Sequence, residues 1–243
     1  MPSWIDASWQ VPPNVRALTT TRHEGVSRGR YASFNLAMHT GDATEAVAKN
    51  RQSLRSEIGL KRLQWLDQVH GNRCLNANDV SCQAVPEADA SWTTEAALGL
   101  VIQSADCVPV VLTDAKGDKI GAAHGGWRGL TSGVLHRLIA AMEIEGPWFA
   151  WIGPAIGASA YEVGADVFDA VLAATGDVRV FTTGSADGKW FLDLFQLTAL
   201  LLEREGVTHV DTERLCTYSD ARFYSFRRDG VTGRMATVIW KAQ

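Results

Sequence analysis

Apolar residues in this chain gather in short dense runs separated by turn-forming clusters. Two runs, Leu98-Gly99-Leu100-Val101-Ile102 and Val108-Pro109-Val110-Val111-Leu112, lack polar alternation. Such runs fit strands buried on both faces. Between them lie Gln103, Ser104, Ala105, Asp106 and Cys107, which form the junction. Asp114-Ala115-Lys116-Gly117-Asp118 predicts a turn. Ile120 to His124 then predicts a short strand of small residues, and Trp148 to Ile152 another buried strand.

Helical spacing recurs elsewhere. Leu130, Val134, Leu135, Leu138, Ile139 and Met142 predict a helix entered through Gly125-Gly126-Trp127-Arg128-Gly129. Thr44 is the expected cap of a helix from about Glu45 to Ile58. Val47, Asn50 or Arg51, Leu54 and Ile58 share its inner face, with Arg51 at the edge of a cleft. A helix from about Ala165 to Ala174 turns Val167, Phe168, Val171 and Leu172 inward. Asp193 and Gln196 read as the capping pair of a helix ending at Gly206. Phe223 to Arg228 and Arg234 to Trp240 predict a hairpin around residues 229–233. As strand neighbours, Arg227 and Arg228 would point to opposite faces. No strict strand–helix–strand rhythm, repeat or linker is visible. The expected architecture is an α/β or α+β sandwich with a mixed β-sheet, in a single domain over residues 1–243.

Composition narrows the function classes. With 243 residues, 46% hydrophobic, the chain can bury a substantial core. A net charge of −4 argues against a general nucleic-acid binder, which needs a basic face. It leaves room for a small anion held by local arginines. The N-terminus, Met1-Pro2-Ser3-Trp4-Ile5-Asp6, lacks the basic and apolar regions of a signal peptide. The apolar stretch from Leu98 to Leu112 is too short and too polar to span a bilayer. A cytoplasmic protein without membrane contact is expected. Its cysteines, Cys74, Cys82, Cys107 and Cys216, form no CxxC pair and are expected to be free thiols.

The candidate chemistry centres on Cys107. His70 in Gln68-Val69-His70-Gly71 precedes it by 37 residues and His124 follows it by 17. One thiol and two imidazoles suit a metal site with three protein ligands and an open fourth position, as in catalytic zinc centres. The same residues suit a Cys/His nucleophile pair. A buried, inert Cys107 is the third reading of the spacing. Asp106 either orients a histidine or closes a turn. The glycines around Trp127 allow close approach of a ligand to the backbone, and Arg128 can add a charge there.

At these motifs the chain resembles the YfiH family, also called the laccase-domain or polyphenol oxidoreductase family. The resemblance rests on Phe34-Asn35-Leu36-Ala37-Met38-His39-Thr40-Gly41-Asp42, Asn50-Arg51, Gln68-Val69-His70-Gly71 and Glu87-Ala88-Asp89-Ala90. It continues through Ala105-Asp106-Cys107-Val108-Pro109, Ala123 to Gly129, Gly153 to Gly157, Tyr161 to Gly164, Cys216-Thr217-Tyr218 and Phe226 to Asp229. The resemblance implies His70, Cys107 and His124 as metal ligands and catalytic residues. It also implies Asn35 and Arg51 as nucleoside contacts, and a fold related to cytotoxic necrotizing factor toxins. Gly125 stands where alanine is usual, and Ser159, Ala160 and Ser219 replace frequent cysteines.

The implied activity is zinc-dependent phosphorolysis of purine nucleosides (adenosine, inosine, guanosine, methylthioadenosine), with adenosine deaminase activity. Copper is the alternative metal. Nucleoside and phosphate are the expected partners, Arg51 and Arg128 the expected phosphate contacts, and a homodimer one compatible assembly. Two alternatives stay open. One is a Cys/His hydrolase or amidase acting on a peptide-like cell-wall precursor. The other is a polyphenol copper oxidoreductase. Six histidines without an HxH pair fit the copper-oxidase reading poorly.

Overall fold

The computed structural model describes residues 4–81, 83–143 and 145–242. The first three residues and Cys82 therefore lie outside the described residues. In chain order the first elements are β1 (Trp4–Asp6), β2 (Val15–Thr20), α1 (Thr44–Glu57), β3 (Arg62–Gln64), β4 (Cys74–Asn76) and β5 (Ala90–Thr93). Next come β6 (Leu98–Ser104), β7 (Val108–Asp114), β8 (Ile120–Gly125), α2 (Trp127–Thr131), α3 (Val134–Met142) and β9 (Trp148–Ile152). Then follow β10 (Glu162–Val163), α4 (Ala165–Thr175), β11 (Phe181–Thr183), β12 (Trp190–Leu192) and α5 (Leu194–Arg204). The last are β13 (His209–Asp211), α6 (Phe226–Asp229) and β14 (Met235–Lys241).

Two large mixed sheets carry the molecule. One has the order β1-β2-β14-β6-β3, the other β13-β9-β7-β8-β5-β4, and a small β10-β12-β11 sheet stands apart. The two long apolar runs, β6 and β7, are buried along nearly their whole length, as their unbroken hydrophobicity predicts. Alternation then assigns their faces. Leu98, Leu100 and Ile102 of β6 pack with Val111 of β7, Ile120 and Ala122 of β8 and Trp151 of β9, so the sheets share one core. On the outer face of the second sheet, Val110 and Leu112 meet helices α3, α4 and α5. On the outer face of the first, Val101 and Val238 meet Leu54 of α1. The result is a helix–sheet–sheet–helix sandwich of mixed α/β type.

The local expectations fare unevenly. α1 buries Val47, Asn50 and Leu54, but starts at Thr44 with Ala43 in the cap position. Asp193 caps α5 by accepting the N–H of Gln196 at 2.9 Å. The single helix expected after Gly129 is two, α2 and α3. Gly133 breaks it with a left-handed φ of 89°, a conformation open to glycine. The hydroxyls of Thr131 and Ser132 bond back to carbonyls of the α2 turn. The expected C-terminal hairpin is also revised. Only its second arm is a strand, and β14 pairs with β2 and β6 instead. The first arm holds the helical turn α6, because the Ser225 hydroxyl accepts the Arg228 N–H at 3.2 Å. The Arg228 guanidinium meanwhile donates to the carbonyls of Thr217, Tyr218 and Phe223.

The chain leaves the first sheet at the end of β6 and enters the second at the start of β7 within residues 105–107. Cys107 therefore sits at the seam between the sheets. No helix among the described residues is long and apolar enough to cross a membrane.

Leu138 of α3 is fully buried and packs onto Gly121 of β8. Leu138→Ala is expected to destabilise the fold by about 2–5 kcal/mol in urea unfolding. A loss below about 1 kcal/mol would show that α3 does not pack firmly on the outer face of the second sheet.

Candidate metal centre and its cavity

Two connections and a strand end converge at the seam. The β3–β4 connection brings His70, the β6–β7 junction brings Cys107, and the end of β8 brings His124. Their ligand atoms all lie within 4.8 Å of one another, and no other such group of His, Cys, Asp or Glu occurs among the described residues. Cys107 Sγ is 3.8 Å from His70 Nε2. The two imidazoles meet edge to face, with ring centroids 4.7 Å apart. Gly126 lies against the cluster. A Cβ there would come within 2.7 Å of His70 Cδ2 and 3.3 Å of Cys107 Sγ. Only glycine admits so close an approach of the backbone.

A buried carboxylate organises the cluster. Asp89 Oδ1 lies 2.8 Å from His124 Nδ1 and accepts the His70 N–H at 2.9 Å. Its Oδ2 accepts the N–H groups of Val69 at 3.2 Å and Gly71 at 2.8 Å. Those bonds hold His70 at a left-handed φ of 62°, a strained conformation for a non-glycine residue. Burial alone would raise the Asp89 pKa, but the His124 and backbone hydrogen bonds hold it below the usual carboxylate range. With Nδ1 engaged by Asp89, Nε2 is the ring nitrogen His124 has left for a metal, an arrangement common in metal-ligating histidines.

Asp106 does not orient a histidine. It has a φ of 93°, and its carboxylate accepts the Thr217 hydroxyl at 2.6 Å and the Arg227 N–H at 2.7 Å. It thus closes the turn that presents Cys107. Burial would push the Cys107 thiol up, but the charge of His124 and hydrogen bonds from both histidines bring it down to about 6. In the same way burial opposes a charge on His124, while the Cys107 thiolate and Asp89 raise its pKa to about 9. A thiolate beside two imidazoles is the donor set of a borderline-soft cation such as zinc, so the residues present fit the metal.

The cluster opens on a cavity of about 400 Å³. Trp127, Tyr161 and Phe226 give it aromatic surface, and Arg128, Arg227 and Arg234 give it positive charge. Of the residues expected to bind substrate, Arg128 lines this cavity. Asn35 and Arg51 do not. Asn35 is fully buried, and both ends of its amide are engaged within the protein. The Arg51 guanidinium stacks on Trp65 at 3.7 Å and donates to the Leu36 carbonyl at 2.8 Å. Burial lowers its pKa to about 10. Arg51 reaches the cavity wall only indirectly, through Gln103 Oε1 at 3.4 Å. Arg227 and Arg228 do part company, but within a helical turn: Arg227 lines the cavity and Arg228 ties loops together.

Asp89, His39, Ser104, Tyr161 and Arg234 were not assigned roles from the sequence. An aspartate amid small apolar residues, in Ala88-Asp89-Ala90, was the readable signal for the first. A buried carboxylate needs partners.

Known proteins resemble this chain over nearly its whole length. A family model described as multi-copper polyphenol oxidoreductase laccase matches residues 16–242. A Pseudomonas aeruginosa protein named purine nucleoside phosphorylase is 40% identical over 243 residues, covering 99% of each chain. The Escherichia coli purine nucleoside phosphorylase YfiH is 37% identical over 244 residues, again 99% of each. Among solved structures, a Neisseria meningitidis protein superposes with a TM-score of 0.94 at 42% identity, covering 100% of both chains. YlmD from Geobacillus stearothermophilus gives 0.88 at 30% identity, covering 95% of this chain and 93% of that one. By sequence along its length, and by a fold shared with these solved structures, the chain belongs to the multi-copper polyphenol oxidoreductase laccase family, the laccase-domain family that includes YfiH.

Proposed function

We propose that the protein is a zinc-dependent purine nucleoside phosphorylase acting in the cytoplasm, with adenosine and inosine as substrates and adenosine deamination as a second activity. The observation that carries this reading is the His70/Cys107/His124 cluster opening on a cavity with both aromatic and cationic walls. The names of full-length relatives support it.

His70, Cys107 and His124 would hold the metal. A bound zinc ion supplies Lewis acidity toward a ligand oxygen or nitrogen. The chain's own residues do the rest. Phe226, which lines the cavity and is 56% exposed overall, offers a face for the purine ring. Trp127 and Tyr161 add apolar wall beside it. Phosphorolysis breaks the bond between C1′ and the base and forms one between C1′ and a phosphate oxygen, and the departing purine takes a proton. The arginine-lined wall matches the anionic co-substrate, since guanidinium binds phosphate through paired hydrogen bonds. Asp89 positions His124 and His70 without touching substrate.

One observation favours a second reading. A thiol lowered to about 6 beside His124 is also the arrangement of a cysteine nucleophile. Such an enzyme survives chelation and is killed by alkylation.

Zinc-loaded protein is expected to release hypoxanthine from inosine and adenine from adenosine only with phosphate present. Cys107→Ala is expected to lower that rate by more than about a hundredfold. Inosine formed from adenosine without phosphate would demonstrate the deaminase activity. No turnover by folded, metal-verified protein, with activity on peptide amides surviving chelation, would transfer the reading to the cysteine hydrolase.

Asp89→Asn keeps the shape of the side chain but replaces one acceptor oxygen by a donor. It is expected to weaken zinc about 10–100-fold in competition with a chromogenic chelator. An unchanged affinity would mean that Asp89 serves the fold alone.

A further inference from the structure

Behind Cys107, the ladder between β6 and β14 brings a second set of polar groups to the cavity. Ser104 stands opposite Met235 in that ladder, so Arg234 is the next residue beside it. Both line the cavity, as does His39. Ser104 is 2% exposed, and its hydroxyl oxygen is buried with no hydrogen-bond partner. A buried hydroxyl without a protein partner is unfavourable by itself, and at a cavity wall a water or a bound ligand can satisfy it. Arg234 gives Nη1 to the carbonyls of Thr232 at 2.9 Å and Gly233 at 3.0 Å. Among the described residues no carboxylate pairs with it. Desolvation lowers its pKa, and together with burial its charge lowers that of His39. The one carboxylate in the cavity lining, Asp106, is already engaged by Thr217 and Arg227.

From this placement we infer that Arg234, Ser104 and His39 form the phosphate subsite of the cavity, and that Asn35 is the positioning residue that assembles it. The Asn35 amide oxygen accepts the Arg234 N–H at 2.9 Å. Its amide nitrogen donates to Thr40 Oγ1 and Asp42 Oδ2, each at 3.0 Å, which fixes the loop carrying His39. One side chain thus ties the backbone of Arg234 to the loop that carries His39. The subsite accounts for an asparagine in a nucleoside-binding motif whose side chain does not reach the cavity. It rests on the phosphorylase reading for the identity of the anion, and on geometry for its location.

The test uses the full zinc-loaded chain with Arg234→Lys, Arg234→Met, Ser104→Ala and Asn35→Ala. Inorganic phosphate is the calorimetric probe, and steady-state KM is measured for phosphate and for inosine separately. Arg234→Met is expected to raise both the phosphate Kd and the phosphate KM more than about tenfold, and Ser104→Ala about threefold or more. Arg234→Lys is expected to recover part of the loss, and inosine KM to stay within about twofold of the parent protein. Asn35→Ala follows Arg234→Met in phosphate KM. Should Arg234→Met or Asn35→Ala fail to fold, Ser104→Ala and Arg234→Lys decide the matter. An unchanged phosphate KM in folded variants, or a rise confined to inosine KM, overturns the subsite while leaving phosphorolysis intact. Phosphate binding that these substitutions abolish, in a protein that does not phosphorolyse nucleosides, upholds the subsite and overturns the phosphorylase reading.

Discussion

The site depends on one buried carboxylate. Asp89 has no exposed surface, and a carboxylate in that position is unfavourable unless its oxygens are fully occupied. Three backbone N–H groups from residues 69–71 and the His124 imidazole occupy them. The same contacts bend the β3–β4 connection into the conformation that presents His70. The main chain adds a further tie, the His124 N–H donating to the Asp89 carbonyl at 2.7 Å. Two of the three cluster residues therefore take their positions from a single aspartate. The third takes its position from another, Asp106, at the point where the chain changes sheets.

This division of labour explains what the sequence discloses and what it hides. β6 and β7 are readable because each is buried on both faces, so composition alone marks them. The amphipathic faces of α1 and α3 are readable because one side of each meets a sheet. The first arm of the supposed hairpin is not. Its fate is decided by the Ser225 cap and by Arg228 reaching carbonyls on another loop. Neither contact leaves a periodic trace. The break at Gly133 is likewise settled by one left-handed residue inside an otherwise continuous apolar pattern.

The site residues divide in the same way. His70, Cys107 and His124 are visible as residue types in glycine-flanked motifs, but intervals of 37 and 17 residues say nothing about convergence. Convergence follows from the passage between sheets at residues 105–107, which is a property of topology. Motif resemblance also assigns Asn35 and Arg51 to the substrate, yet neither lines the cavity. Asn35 spends its amide on Thr40, Asp42 and Arg234, and Arg51 spends its guanidinium on Trp65 and Leu36. A motif identifies residues that belong to a site. In this structure both Asn35 and Arg51 stand behind the cavity wall, with their side chains engaged by the protein.

The backbone is strained at the centre of the cluster. His70 and Asp106 both have positive φ, and a Cβ at Gly126 would press on His70 and Cys107. Such conformations persist only where surrounding bonds over-determine them. Here the bonds are to the carboxylates of Asp89 and Asp106. The sheets and their shared core fix the seam, and Asp89 and Asp106 fix the turns on it. A metal ion held by His70, Cys107 and His124 would add stability to the folded state in proportion to the logarithm of its concentration over its Kd. Order in this site runs from core to carboxylates to ligands, so disturbing Asp89 disturbs the cluster before it disturbs the sandwich.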